Sequence, residues 1–555
     1  MFRFCVYYLT LWEGILMIKS LILLSCLIWG PLVLASNGPG PDWSQGMRVS
    51  TPRADIYEAG EDLAKLTRWG LLHSLWYPVP VTGLKVPFKP IEFLSDPRKN
   101  PLKDLLLKIS KITINISSPD DLYSWMGLKS YPPHEGEGAY FVPFKNQERP
   151  SVRMGVSFGE SEGSRYVTAS CVACHAESLF GRPVIGLPNK TPRANEAFYR
   201  AHEIIPRISG KALKSVMKVN EGDLLLWKKA QETLNWIGVK RPRVLGLDTS
   251  LATVALSLAK REMDPFATIT QEAWRQPRKD VLENLVADSK PMPWFTLKYK
   301  NRWLSDGSVV SGNPVLTNIL WNEIGRGVKL EELEEWALSS EGEKIIKELT
   351  GAVFATTPPR YIDFFGKKSI DVEKAQRGEE LFHQSCFKCH GSYRKDWKTL
   401  ETVEVSYPEL TEVKDVGTDP QRWMGMRDLS RELNRLSFSE TFGIKVVPQK
   451  GYVPPPLVGI WSRWPYFHNN SAPTLCDVLR NPQRRRSSWY VGSPVSPATD
   501  FDQTCNGFPL NAPKEWRSRE RLYETRKPGL SNQGHFKHEY SEKEISELVM
   551  FLKTL

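Results

Sequence analysis

Histidine and cysteine are both scarce in this chain, nine and eight among 555 residues. That scarcity makes any repeated Cys/His frame informative. At these frequencies the pentapeptide Cys-x-x-Cys-His is expected roughly 0.002 times by chance. It occurs twice, in "SCVACHAES" at 170–178 and in "SCFKCHGS" at 385–392. Coincidence is excluded. A concentrated basic motif is also missing. The net charge is +11, yet the densest run is the short "RRRSS" from Arg484, so the sequence points to no nucleic-acid partner. The positive balance suits an acidic partner or an anionic surface instead. A bilayer-spanning run is missing at the start of the chain. The apolar stretch between Lys19 and Ala35 stops at about 15 residues, short of the roughly 20 that cross a membrane. With 41% hydrophobic and 25% charged residues, wholesale disorder is excluded too.

The repeated frame has three candidate chemistries. Zinc sites normally bring their second ligand pair within about 12–20 residues, whereas here the pairs lie about 215 residues apart. Thiol–disulfide exchange needs no histidine after the CxxC. A c-type haem needs all three residues, because two thioethers fix the porphyrin and the adjacent imidazole is set under the iron. The reading is two covalently bound haem c groups. Cys171, Cys174 and His175 hold one; Cys386, Cys389 and His390 hold the other; His175 and His390 are iron ligands.

Residues 1–35 read as a signal peptide: a charged start, a short apolar core and a Val-x-Ala cleavage pattern ending at Ala35. Translation from Met17 fits the same pattern, and Cys26 resembles a lipidation site only weakly. Export places the protein in the periplasm or outside the cell, with membrane contact only through an uncleaved signal. Residues 36–150, rich in Pro and Gly, read as an irregular N-terminal layer. Residues 151–358 read as a first haem domain and 359–555 as a second, the boundary falling in "FATTPPRYIDFFGKK". Fold class is mainly α: two cytochrome c-like haem domains with long loops and at most small strand pairs. In the second, a helix runs into the CxxCH, with Val372, Ala375 and Leu381 on its apolar side. Ser541 and Glu544 cap a closing helix with one apolar stripe. Cys476 and Cys505 are the cysteines left after both haems and the signal are assigned, and export predicts a disulfide between them.

At 452–479 the chain reads "YVPPPLVGIWSRWPYFHNNSAPTLCDVL". Its "PYFHNNSAPTL" resembles a segment of the bacterial di-haem cytochrome c peroxidase superfamily, and "NRWLSDGS" at 301–308 resembles another. "VGTDPQRW" at 416–423 and the C-terminal "SNQGHFKHEYSEKEISELVMFLKTL" look closest to the rubber-oxygenase branch. The resemblance implies a reactive N-terminal haem, a C-terminal electron-transfer haem, dioxygen or peroxide as small oxidant, and a protein electron donor or acceptor. In the peroxidases a glutamate soon after the "WDG" segment moves the proton. Here the next acid after Asp306 is Glu323, which makes peroxide cleavage doubtful. The alternative is an electron carrier without substrate chemistry of its own. Residues 292–308 are expected against the first haem, with Trp294 and Trp303 near it as candidate catalytic residues or as ordinary core. The segment "YVPPPLVGIW" has no methionine, so the second haem's sixth ligand falls to His535, His538, His468, Met424 or Met426. His383 is too close to the CxxCH. The rubber-oxygenase branch uses a histidine in a similar "GH" segment, and Gly534 allows a tight turn, so His535 is the favoured third iron ligand.

Overall fold

The computed structural model describes residues 63–76, 79–96, 98, 101, 104, 116–261, 264–408, 410–536 and 538–555. The expected signal peptide, with Met17 and Cys26, lies outside them. Among the described residues no helix is long and apolar enough to cross a membrane.

Helix outweighs strand, 44% to 12%. The helices that position the sites are α1 (Leu63–Trp76), α2 (Ser250–Leu258), α3 (Pro314–Gly325), α4 (Ser340–Ala355), α5 (Val372–Ser385), α6 (Gln421–Asn434) and α7 (Glu542–Leu552). Their starts follow local chemistry. Asp371 accepts the Lys374 amide at the head of α5. Ser541 and Glu544 form the reciprocal capping box expected for α7. The Pro- and Gly-rich N-terminal layer is less irregular than expected, because α1 packs along α4.

The strands form small antiparallel sheets. β1 (Val86–Pro87) adds to the hairpin of β2 (Val156–Ser161) and β3 (Ser164–Ala169); β4 (Ala176–Leu179) pairs with β5 (Arg182–Ile185). The first CxxCH therefore lies between two hairpins, not behind a helix as in a cytochrome c-like frame. Short alternating segments such as "SRYVTA" pair locally there, and the half-buried strands leave no helical stripe. The second CxxCH does follow a helix, α5.

Two large cores form. The first joins α1, α2, α3 and α4 to Met426, Leu429 and Leu433 of α6. The second joins α5 and α7 to Trp461 and Trp464, and also to Leu179, Val184, Phe295 and Tyr299. Both cores draw on residues from either side of position 358. A further crossing is the pairing of Val309–Ser311 with Lys445–Val446. Cys476 and Cys505 are joined as expected, their Cα atoms 5.1 Å apart.

Candidate functional site

The second motif shows how a sequence frame becomes a metal geometry. Helix α5 ends at Ser385, and the turn Phe387–His390 then sets the His390 ring inward. Its Nδ1 donates to the Pro455 carbonyl at 2.8 Å. That bond fixes the tautomer and leaves the Nε2 lone pair for a metal. Opposite stands His535, with the two ring centres 6.1 Å apart. Metal–imidazole bonds of about 2.0 Å on each side, plus roughly 1.1 Å from nitrogen to ring centre, require about 6.2 Å. The gap is iron-wide.

His535 reaches this position through an uncommon backbone. Gly534 and His535 both have positive φ, 76° and 49°. The His535 amide donates to the Val416 carbonyl at 2.7 Å, and its own carbonyl accepts from Arg485 Nη2 at 3.3 Å. Phe467 flanks the ring at 5.5 Å. Burial, then the neighbouring His390 and Arg485, push His535 down to about 4. Burial lowers His390 as well. Both rings are thus held neutral, the form that ligates metal. His468, Met426 and His383 are engaged elsewhere, and His538 faces solvent. His538 is exposed beside Tyr540. His468 stacks on Tyr452 at 3.8 Å. Met426 is buried in the first core. His383 lies between Phe382 and Phe387.

The first motif opens onto a cavity of about 730 Å³, lined by Cys171, Cys174, His175, Trp294 and Trp303. This is within the usual range for a cofactor pocket. His175 is pushed down to about 4 by burial, offset in part by Asp248 and the Met292 backbone. The Trp294 ring lies 5.3 Å from the His175 ring at 31°, against the imidazole itself. The Trp303 amide bonds the Val309 carbonyl at 2.9 Å. Helix α3 presents Val315, Asn318, Ile319 and Asn322 to the cavity, one face at helical spacing. Glu323, the first acid after Asp306, is not among the lining residues; it pairs with Arg326 at 3.2 Å instead. Asp248 is the acid in the lining, and it accepts from Asn195 Nδ2 and the Ser250 amide.

The thiols argue against redox exchange. Burial raises Cys171, takes Cys174 up to about 12 and takes Cys386 to about 11. Thiol–disulfide catalysts need the opposite shift. Both sets of residues therefore fit covalent haem: half-buried cysteines with an adjacent neutral imidazole, one facing a pocket and one facing a second imidazole.

Sequence reasoning missed the Pro455 carbonyl, the Val416 carbonyl and the neutral face of α3. The motif "VGTDPQRW" was a signal for part of this. Its Val416 supports His535 and its Arg422 reaches the first cavity and Asp306, 3.7 Å away.

Comparison with known proteins agrees at a coarse level. A family described as RoxA-like, cytochrome c-like matches residues 451–490. That segment carries Pro455, Phe467 and His468, beside the second motif. It supports a c-type cytochrome with haem c. Two uncharacterized Sinorhizobium fredii proteins are also similar. One, y4iJ, is 27% identical over 259 residues, covering 36% of this chain; the other, y4iM, is 25% identical over 198 residues, covering 30%. In each case the match spans 41% of the relative's own length.

Proposed function

We propose that the chain is an exported di-haem c-type cytochrome acting as an oxidoreductase on dioxygen or peroxide, in the rubber-oxygenase manner. The haem at Cys171, Cys174 and His175 is the reactive one, and that at Cys386, Cys389 and His390 transfers electrons. The observation that carries this division is a contrast. His390 faces a second imidazole across an iron-wide gap, whereas the cavity facing His175 has no second histidine in its lining. A bound haem supplies an oxygen-binding iron where a position is open and one-electron transfer where both are filled. His390 and His535 would be the residues that hold the second haem's iron, and ligation by two imidazoles would keep its potential low compared with methionine ligation. The face of α3 offers no acid, and the one in the lining, Asp248, is already engaged by Asn195 and the Ser250 amide, so the cavity favours dioxygen over peroxide cleavage. Apolar side chains such as Leu84, Phe93, Phe198, Ile205 and Trp227 also line the cavity, which suits an apolar substrate. Electrons come from or go to a partner protein, and the basic charge suits an acidic one.

Three methionines, Met126, Met217 and Met292, also line the cavity. They favour a second reading, in which one of them fills the sixth position and the protein only carries electrons. Electron paramagnetic resonance of the oxidised protein separates the two. The proposal expects two haems surviving acid-acetone extraction, one high-spin and one low-spin. Two low-spin signals favour the carrier; a single haem, or stoichiometric zinc, overturns both.

A further inference from the structure

Lys300 stands out among the buried lysines. Lys129 pairs with Glu177 at 2.8 Å. Lys190 donates to the Ser462 and Trp464 carbonyls at 2.7 and 2.9 Å, Lys298 to the Thr356 carbonyl at 2.8 Å, and Lys553 to that of Gln503. Lys300 is 1% exposed, yet its ammonium has no hydrogen-bond partner. Its charged neighbour is another cation, Arg463, which depresses the Lys300 ammonium further after burial itself. Arg463 is 5% exposed and its Nε is likewise unpartnered. Among the described residues neither forms an ion pair with an acid. Two buried cations that repel each other and have no anion between them are costly to keep desolvated. The pair calls for a carboxylate.

Its position identifies which one. Arg463 Nη1 donates to the Pro456 carbonyl at 2.7 Å, one residue beyond the Pro455 carbonyl that holds His390. Lys300 ends the segment that begins at Trp294 in the first cavity, but Lys300 itself does not line that cavity. Tyr299, just before it, belongs to the second core. We propose that Lys300 and Arg463 form the binding site for a propionate carboxylate of the second haem. This rests on the reading of that haem as held between His390 and His535. The carboxylate accepts from the Lys300 ammonium and the free Arg463 Nε–H, and the pair neutralises what is otherwise an uncompensated interior charge.

Redox titration of the intact di-haem protein tests it. A buried cation beside the porphyrin favours the reduced, less positive haem, so Lys300→Met lowers the second haem's midpoint potential. The expected shift is at least tenfold in the reduction equilibrium, 59 mV for one electron. Lys300→Arg restores most of it. Arg463→Gln, read the same way, serves if Lys300→Met does not accumulate. An unchanged second potential in both variants overturns the assignment. So does a shift confined to the first haem, or a wild-type potential that moves with added inorganic phosphate, which identifies a free anion. The low-spin spectrum of the unsubstituted protein reports separately on the His390–His535 reading. Its loss counts against that reading and not against the cation pair alone.

Discussion

A residue's chemistry here is decided by what holds its backbone. His535 is one of nine histidines, and its ring faces His390 because Gly534 and His535 both turn left-handed and the Val416 carbonyl holds the amide. His535→Ala removes the imidazole without disturbing that turn's hydrogen bonds. If a haem is held there as proposed, it is then expected to become high-spin or to recruit a foreign ligand, seen in its visible and paramagnetic resonance spectra. An unchanged low-spin spectrum and potential would rule out His535. At this scale the proposed haem residues could be named from sequence: the CxxCH frame offers six, because covalent attachment would fix them in sequence, and the "GH" pair offers His535. Lys300, Arg463 and the Pro455 carbonyl were not legible. Their roles come from residues far away in the chain, and a lysine among aromatic residues looks the same in sequence whether paired or orphaned.

At the scale of elements, the second motif is framed by α5 and α7, which cross at Gly378. A Cβ there would stand 2.0 Å from the Glu547 carbonyl oxygen and 2.6 Å from its carbon. The obstacle is backbone and cannot rotate away. Gly378→Ala gains about 1 kcal/mol of helix propensity but forces the two helices apart, an overpacking cost of about 1–3 kcal/mol. Steric cost wins, so a lower denaturation midpoint is expected; a stabilised variant would mean that the helices do not meet there. Both helices were readable from their apolar sides, and α7 from its capping box as well. The hairpins around the first motif were not. Strands of six residues or fewer carry too little alternation to compete with the reading of an irregular layer. The helix at 63–76 escaped for a related reason: it sits within a Pro- and Gly-rich stretch, and its stability comes from packing on α4.

At the scale of the whole molecule, composition and motif spacing suggest two haem units divided at 358, and each of the two large cores draws on residues from both sides of that position. Apolar periodicity tells which face of a helix is buried but not against which partner, so the exchange of residues across that position was invisible in sequence. It has a measurable consequence. Eight buried residues from the C-terminal part, Met426, Leu429, Leu433, Leu436, Phe438, Phe442, Ile444 and Val446, pack into the first core. The second core in turn takes Leu179, Val184, Leu187, Val244, Phe295 and Tyr299 from the N-terminal part. Burying an apolar side chain contributes about 1.5–3 kcal/mol, so the eight alone represent about 12–24 kcal/mol. Net stability of a domain is about 5–15 kcal/mol. The disulfide between Cys476 and Cys505 closes a loop of 29 residues and offsets about 3–4 kcal/mol by the chain-entropy estimate, which is too little to compensate. A fragment of residues 359–555, exported and supplied with haem, is therefore expected to aggregate or to unfold without a cooperative transition, even with its CxxCH, His535 and disulfide intact. Thermal unfolding followed by circular dichroism reads this directly. A soluble fragment with a sharp transition and a low-spin haem would show that the shared cores contribute far less than their burial implies.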